Sequence, residues 1–206
     1  MELSDRQTAI VTIVYLSALL PSALIVLGYL LGRVPRWIFI LSGAGVIACA
    51  LGWEVWLTYG LVDGLSVVER RPDVMNAAIP LHINWLLNSL ADGVSIGLGG
   101  VLLVWLVYGR STAAFTQWRW GAFFVLLTWF IGQNLWVELT IYQAQLAEGY
   151  QLSWAPLIPT GPWYNPVLFV IDGRTVQLQT QLPWLLMTPL YYFMLLTIYR
   201  RYADTA

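Results

Sequence analysis

Five long apolar segments constrain the fold of this chain more than any other feature of its sequence. A membrane-spanning helix needs about 20 mostly apolar residues, and five stretches of the chain reach that length. They lie at about residues 8–31, 37–61, 82–108, 119–142 and 181–199. The sequence therefore predicts an all-α membrane protein, in which a bundle of five transmembrane helices forms one polytopic domain over residues 1–206.

The composition agrees with a membrane protein. Hydrophobic residues make up 59% of the chain and charged residues only 10%, whereas about a quarter of a soluble domain is charged. The formal net charge is −1, so nothing in the sequence indicates a nucleic-acid partner. Because the chain has one cysteine, Cys49, and one histidine, His82, we expect no internal disulfide, no metal site and no cofactor.

The charged residues near the span ends predict an orientation. The N-terminal sequence MELSDRQ is polar and acidic, unlike the positively charged start of a signal peptide, so the first segment is expected to be a true span. Six arginines lie in the loops after spans one and three and at the C-terminus, against four on the other side. The positive-inside rule then places the C-terminus in the cytoplasm. We expect an integral protein of a bacterial inner membrane or of the endoplasmic reticulum, surrounded by membrane lipids.

The connection between spans four and five predicts a second kind of element. The sequence VLFVIDGRTVQLQ places two β-prone runs around Asp172-Gly173, which is a strong signal for a hairpin. We predict a short extracytoplasmic β-hairpin over residues 167–179. Residues 150–166, rich in proline and aromatic residues, are expected to form an interfacial cover. The aromatic side chains suited to the headgroup level are Trp154, Trp163 and Tyr164.

Polar side chains inside the spans cluster at one depth. Asn84, Asn88 and Asp92 are spaced by four residues and therefore form one stripe of span three. Glu54, Asp92 and Glu138 lie roughly 6–15 Å below the outer ends of their spans, by the helix rise. Because an unmatched polar group in lipid costs several kcal/mol, such groups must face the bundle interior. The sequence thus predicts a shared pocket in the outer half of the membrane.

Tryptophans at the same depth indicate the chemistry of this pocket. Indole faces stabilise cations, and two carboxyl groups in different environments can act as a proton donor and a proton acceptor. This combination suits a reaction that protonates an alkene, shelters a carbocation and removes a proton elsewhere. The predicted catalytic pair is Glu54 and Asp92, in an order that the sequence leaves open. The predicted substrate-binding residues are Trp53, Trp85, Asn88, Gln133, Asn134, Glu138, Gln181 and Trp184.

Simpler roles for several of these residues also fit the sequence. Amide and hydroxyl side chains often join membrane helices through hydrogen bonds. Glu138 lies close enough to a span end to reach the interface. The small residues Gly93 and Gly97 fit close helix packing, and they would also leave room for a ligand beside Asp92.

The order of spans and polar residues resembles the emopamil-binding proteins, the sterol Δ8–Δ7 isomerases of the EXPERA superfamily. This resemblance implies a five-helix fold with a pocket in spans two to five. It implies roles for Glu54, Asp92, Gln181 and Trp184. The chain departs from the family where Ala50 replaces a histidine, Asp92 a glutamate and Gln181 an asparagine. The matching stretches are GWEVWLTYG, DGVSIGLGG, FIGQNLWVELTIY and QLPWLLMTP.

A second resemblance leads to the same chemistry. The sequence Trp53-Glu54-Val55 is similar to the span-two motif of a type of membrane-bound terpene cyclase, which has seven spans and an acid in the last. Both resemblances imply acid–base carbocation chemistry on a lipid-soluble isoprenoid or sterol-like substrate taken from the bilayer, either double-bond isomerisation or protonation-initiated cyclisation. A non-catalytic lipid or sterol binder, a proton-coupled transporter and an accessory subunit of a membrane complex stay open as alternatives, as does a homodimer.

Overall fold

The structure is a computed structural model that describes residues 2–61, 64–150 and 164–203. Within these ranges, five helices are long and apolar enough to cross a membrane. The prediction of a five-span helical membrane protein is therefore confirmed. The helices are α1 (Asp5–Leu30), α2 (Arg36–Tyr59), α3 (Leu81–Val107), α4 (Trp120–Gln145) and α5 (Leu178–Tyr202).

Short elements connect the five helices. Two short helices, Val67–Arg70 and Asp73–Ala78, lie between α2 and α3, and a third, Ala113–Thr116, lies between α3 and α4. A hairpin of β1 (Val167–Ile171) and β2 (Arg174–Gln177) precedes α5. The hairpin therefore marks one end of the bundle, hereafter the hairpin end, where α1, α3 and α5 begin and α2 and α4 end.

Local sequence signals fix the helix ends that differ from the predicted ones. Helix α1 begins at Asp5, before the predicted residue 8, because Ser4 and Gln7 form a capping box. Helix α2 ends at Tyr59, because Gly60 takes a left-handed conformation with φ of 65° and stops the helix. Apolar length alone predicts neither end, because the capping box precedes the first apolar segment and Gly60 lies within the second one.

The predicted β-hairpin is confirmed, and its turn has the expected geometry. Asp172 and Gly173 both have positive φ, 50° and 75°, as a two-residue type I′ turn requires. Strand β2 is packed against α4, because Arg174 donates a hydrogen bond of 2.6 Å from Nη1 to the carbonyl oxygen of Leu139. The side chains of β1 are exposed, so the hairpin attaches to the bundle through one strand.

The predicted interfacial cover falls mostly on residues 151–163, which lie outside the described residues together with Trp154 and Trp163. Tyr164 is described, and its side chain is exposed. Its location at the headgroup level stays a prediction.

Helices α2 and α3 cross in backbone contact at two glycines. A methyl group on Gly45 would lie 2.9 Å from the carbonyl oxygen of Gly93, and one on Gly93 would collide with the backbone of Val46. Further along α3, a methyl group on Gly97 would lie 2.7 Å from the hydroxyl oxygen of Tyr191 in α5. Close packing is therefore the role of these glycines, and the space beside Gly93 is filled by α2 rather than left for a ligand.

Three of the membrane helices contain a wider π-helical turn. Such turns are rare, and they occur frequently at functional sites. Each of them contains one of the three carboxyl groups predicted to lie inside the membrane. The turns are Ala50–Glu54 in α2, Ala91–Ile96 in α3 and Glu138–Tyr142 in α4, and their carboxyl groups belong to Glu54, Asp92 and Glu138.

The α2–α3 contact leads to a test of stability. In Gly93→Ala, the new methyl group presses on backbone atoms that cannot rotate away, so we expect the free energy of unfolding to fall by about 1–3 kcal/mol. Thermal unfolding in detergent measures this loss. Gly43→Ala is the matched control, since no neighbouring atom of the described residues lies within 4 Å of a methyl group there. Equal melting temperatures for the two variants would show that the close backbone contact is not required.

Candidate functional site

A cavity of about 150 Å³ lies among the five membrane helices, toward the hairpin end. Helix α1 contributes Ile13, Val14 and Ser17 to its wall, although the sequence predicted a pocket in the four other spans. Most of the predicted site residues line this cavity. They are Trp53, Glu54, Asn88, Asp92, Gln133, Asn134 and Trp184.

The two predicted catalytic carboxyl groups reach this cavity from neighbouring helices. The Glu54 side chain is only 1% exposed, and the hydroxyl group of Thr58 lies 3.5 Å from its Oε2. The Asn88 side chain approaches the same carboxyl group from α3. Asp92 is half-buried and accepts a hydrogen bond of 3.1 Å at Oδ2 from Nε1 of Trp53. Both carboxyl groups are therefore held by neighbours that leave them facing one space.

Aromatic rings form one wall of the cavity. The ring centroids of Trp53 and Trp184 are 5.4 Å apart, with an angle of 55° between the planes. Phe130 packs behind Trp184, with centroids 5.0 Å apart. Trp53 and Trp184 are buried, so their indole rings lie out of water, where an attraction to a cation is strongest.

Glu138 and Gln181 are brought together beside the cavity rather than in its wall. Gln181 donates from Nε2 to Oε2 of Glu138 at 2.9 Å, and Thr180 donates to the same oxygen at 2.8 Å. Asn134 donates from Nδ2 to Oε1 of Gln181 at 3.0 Å. These bonds join α4 to α5, so Glu138 and Gln181 connect helices, and Asn134 links this connection to the cavity.

Trp85 does not line the cavity. Its indole Nε1 donates a hydrogen bond of 3.0 Å to the carbonyl oxygen of Ala50, which begins the π turn of α2. The side chain therefore ties α3 to this turn on the outside of the site. It positions the turn that carries Glu54 and has no contact with the cavity.

Two buried arginines in the loop between α2 and α3 adjoin the site, although the sequence alone places them among the loop arginines. Each side chain, of Arg70 and of Arg71, is only 4% exposed. Arg70 donates a hydrogen bond of 2.6 Å from Nη2 to the carbonyl oxygen of Leu57, in the last turn of α2. Burial lowers the pKa of both guanidinium groups to about 10. Both therefore stay charged at neutral pH, and they place positive charge above the carboxyl groups.

A ladder of hydrogen bonds connects Arg71 with Glu54. Nη1 of Arg71 donates to Oδ1 of Asn84 at 3.1 Å. Nδ2 of Asn84 donates to Oγ1 of Thr58 at 3.2 Å, and this hydroxyl group faces Glu54. Asn84, the first residue of the predicted polar stripe, therefore forms part of this ladder, whereas Asn88 and Asp92 line the cavity.

Tyr142 is a further residue of the site, and it was not predicted from the sequence. It lines the cavity and also a second space of about 10 Å³ that is lined by Arg70 and Arg71. The spacing of four residues from Glu138 was the only signal in the sequence, since it puts the two side chains on one face of a regular helix.

Comparisons of the chain with protein-family models, with curated proteins and with solved structures found no match. Among the residues that the structure describes, no three metal-ligating side chains lie together as a site for an ion. The polar and aromatic groups in the cavity wall are two carboxyl groups, amides, hydroxyl groups, a phenol and indoles. These groups can transfer protons, orient a polar group and stabilise positive charge.

Arg71 allows a test of the ladder. Arg71→Ala leaves the buried oxygen atoms of Asn84 and Ile79 without their donor, so we expect a loss of about 2–4 kcal/mol in the free energy of unfolding. Arg71→Lys keeps the positive charge but lacks the planar set of N–H donors of the guanidinium group, so we expect an intermediate loss in the free energy of unfolding. Thermal unfolding in detergent measures both variants. Arg6→Ala, at an exposed arginine of the same end of the bundle, is the control, and an Arg71→Ala protein as stable as this control would contradict the prediction.

Proposed function

We propose that the protein is an integral membrane enzyme that performs acid–base carbocation chemistry on a lipid-soluble isoprenoid. The reaction is a double-bond isomerisation or a cyclisation started by protonation. The observation that carries this proposal is the placement of Glu54 and Asp92, each in a π turn, on one cavity within the membrane-spanning bundle. Burying a carboxyl group within a membrane costs free energy, so such groups in membrane spans usually have a functional role.

The arrangement supports a reaction in two proton transfers. One carboxylic acid adds its proton to a carbon of the double bond, which leaves a carboxylate and a carbocation. The other group, as carboxylate, removes a proton from a neighbouring carbon, and the electron pair of that C–H bond forms the new double bond. One proton is added and one is removed, so the enzyme is reset when a proton returns from the acceptor to the donor. The shared cavity gives both groups access to the same substrate.

The other residues of the cavity fit supporting roles. Trp53 and Trp184 offer indole faces to the positive charge. The hydrogen bond from Trp53 also holds Asp92, whose side chain lines the cavity. Asn88, Gln133 and Asn134 can orient water or a hydroxyl group of the substrate.

The resemblance to the emopamil-binding proteins supports the same class of reaction. Three of the residues that carry this resemblance, Glu54, Asp92 and Trp184, line one cavity, and Gln181 lies beside it. We propose in addition that the C-terminus is cytoplasmic, which puts the cavity in the outer half of a bacterial inner membrane or of an endoplasmic reticulum membrane.

A non-catalytic lipid binder is the second candidate. Ala50 favours it, because the resembled isomerases have a histidine at this position, one turn before the span-two glutamate. A binder needs the apolar wall and the amides of the cavity, but it does not need a proton donor. The two candidates therefore differ in what Glu54 and Asp92 must do.

The decisive experiment is mass spectrometry of the lipids that co-purify with wild type, Glu54→Gln and Asp92→Asn. For an enzyme, we expect a rearranged isoprenoid on the wild type and its unaltered precursor on both variants. Turnover of the unlabelled precursor by the purified wild-type protein in deuterated water should place one deuterium on the product, because the donor carboxylic acid exchanges its proton with water. Each amide variant removes one proton-transfer group, so product formation should fall by about 10²–10⁴-fold.

Glu148→Gln, at an exposed carboxylate near the hairpin end, is the matched control and should behave as the wild type does. The same unaltered lipid on all four proteins would assign the protein as a binder. The absence of any specific lipid from all of them would refute both candidates.

A further inference from the structure

A long apolar groove runs along the lipid-facing side of α3 and α4. Its volume is about 760 Å³. Gly121 and Trp136 line its two ends, so it follows α4 over roughly 22 Å by the helix rise. The residues between them are apolar, small or aromatic, with Thr128 and Gln133 as the polar members.

Packing of one tryptophan shapes this groove. Trp129 donates a hydrogen bond of 2.8 Å from Nε1 to the carbonyl oxygen of Ile96. Its ring lies against Gly99, where a methyl group would be 2.9 Å from Cζ2 of Trp129. The ring is thereby held against α3. A methyl group on Gly132 would meet no neighbouring atom within 4 Å in the part of the chain that the structure describes, so the groove stays open there one turn further along α4.

The groove adjoins the cavity that is lined by Glu54 and Asp92. Gln133 and Trp136 line both spaces, one turn apart on α4. The cavity, however, is also lined by residues of α1, α2 and α5, none of which lines the groove. A molecule that occupies both spaces must therefore bend around α4 at Gln133 and Trp136.

The two volumes show that the cavity alone is too small for a whole substrate. Pockets that bury a drug-sized ligand measure about 300–1,000 Å³. The cavity, at about 150 Å³, is below this range, whereas the groove is within it. The cavity can therefore enclose only the reacting part of an isoprenoid, and the rest of the molecule needs another place.

We propose that the groove between α3 and α4 binds the hydrocarbon tail of a linear isoprenoid, whose reacting double bond lies in the cavity beside Glu54 and Asp92. This inference rests on the proposed function and narrows its substrate class. A flexible chain can bend at Gln133 and Trp136, but a rigid fused-ring system cannot. The substrate is thus a linear isoprenoid rather than a sterol.

The test uses geranylgeraniol that carries a diazirine at the end remote from its hydroxyl group. The probe is added to the purified protein in lipid nanodiscs and photolysed, and the labelled residues are found by peptide mass spectrometry. We expect labels on the groove segments 103–107 and 121–128. Excess unlabelled geranylgeraniol should suppress them, and excess cholesterol should not.

A pair of glycine variants provides the control. Gly132→Phe places a ring in the groove, so the groove labels should fall several-fold. Gly43→Phe adds the same ring to an exposed position of α2 that also has open space, and its labels should equal those of the wild type. Equal melting temperatures of the two variants establish that both fold.

Three results would overturn the proposal. In the first, the exposed face of α1 is labelled as strongly as the groove. In the second, cholesterol suppresses the groove labels as strongly as geranylgeraniol does. In the third, Gly132→Phe has the same groove labels as the wild type. Labelling of Glu54→Gln and Asp92→Asn separates this proposal from the proposed function, because binding of the tail needs no proton transfer. If both variants show the groove labels and also form the same lipid products as the wild type, the binding of the tail in the groove is supported and the proposed reaction at Glu54 and Asp92 is refuted.

Discussion

The crossing of α2 and α3 at Gly45 and Gly93 is the contact on which the site depends. Because no side chain separates the two backbones there, the helices run together toward the hairpin end at the smallest distance that packing allows. Trp53 can then reach Asp92, Trp85 can reach the carbonyl oxygen of Ala50, and Asn84 can reach Thr58. A larger residue at the crossing would weaken all of these bonds together.

Polar groups in this membrane bundle fall into two sets with different partners. One set, Glu138 with Thr180 and Gln181, is bonded between α4 and α5 and serves the assembly of the helices. The other set, around Glu54 and Asp92, keeps capacity for a further partner because it faces a cavity. Of the buried arginines at the hairpin end, Arg70 adds positive charge near Glu54, and Arg71 is connected to the second set through the hydrogen bonds of Asn84 and Thr58.

Much of the fold could be predicted because its signals are local. Apolar length gives the spans, an Asp-Gly pair gives the hairpin, and a spacing of four residues gives the stripe on α3. The π turns could not be predicted in the same way, because a wider turn depends on packing against other helices. Tyr142 shows the consequence: four residues after Glu138, it faces the cavity while Glu138 is bonded to α5. The burial of Arg70 and Arg71 depends on how the loop folds back onto the bundle, and the sequence carries no signal for it.

The π turns make the site sensitive to the number of residues in each helix as well as to their identity. A π turn is in effect an α-helix with one residue inserted. Deleting one residue from Ala91–Ile96 would close the wide turn into a regular one, and the closed turn would take up the missing residue. Gly97 and Gly99 would then keep the faces that meet Tyr191 and Trp129, but the side chains within the turn, Asp92 among them, would point in new directions. A substitution alters one side chain, whereas a single deletion would re-aim the carboxyl group and leave the rest of the helix in place, so relatives that retain this site should vary in their loops and keep the residue count of the π turns.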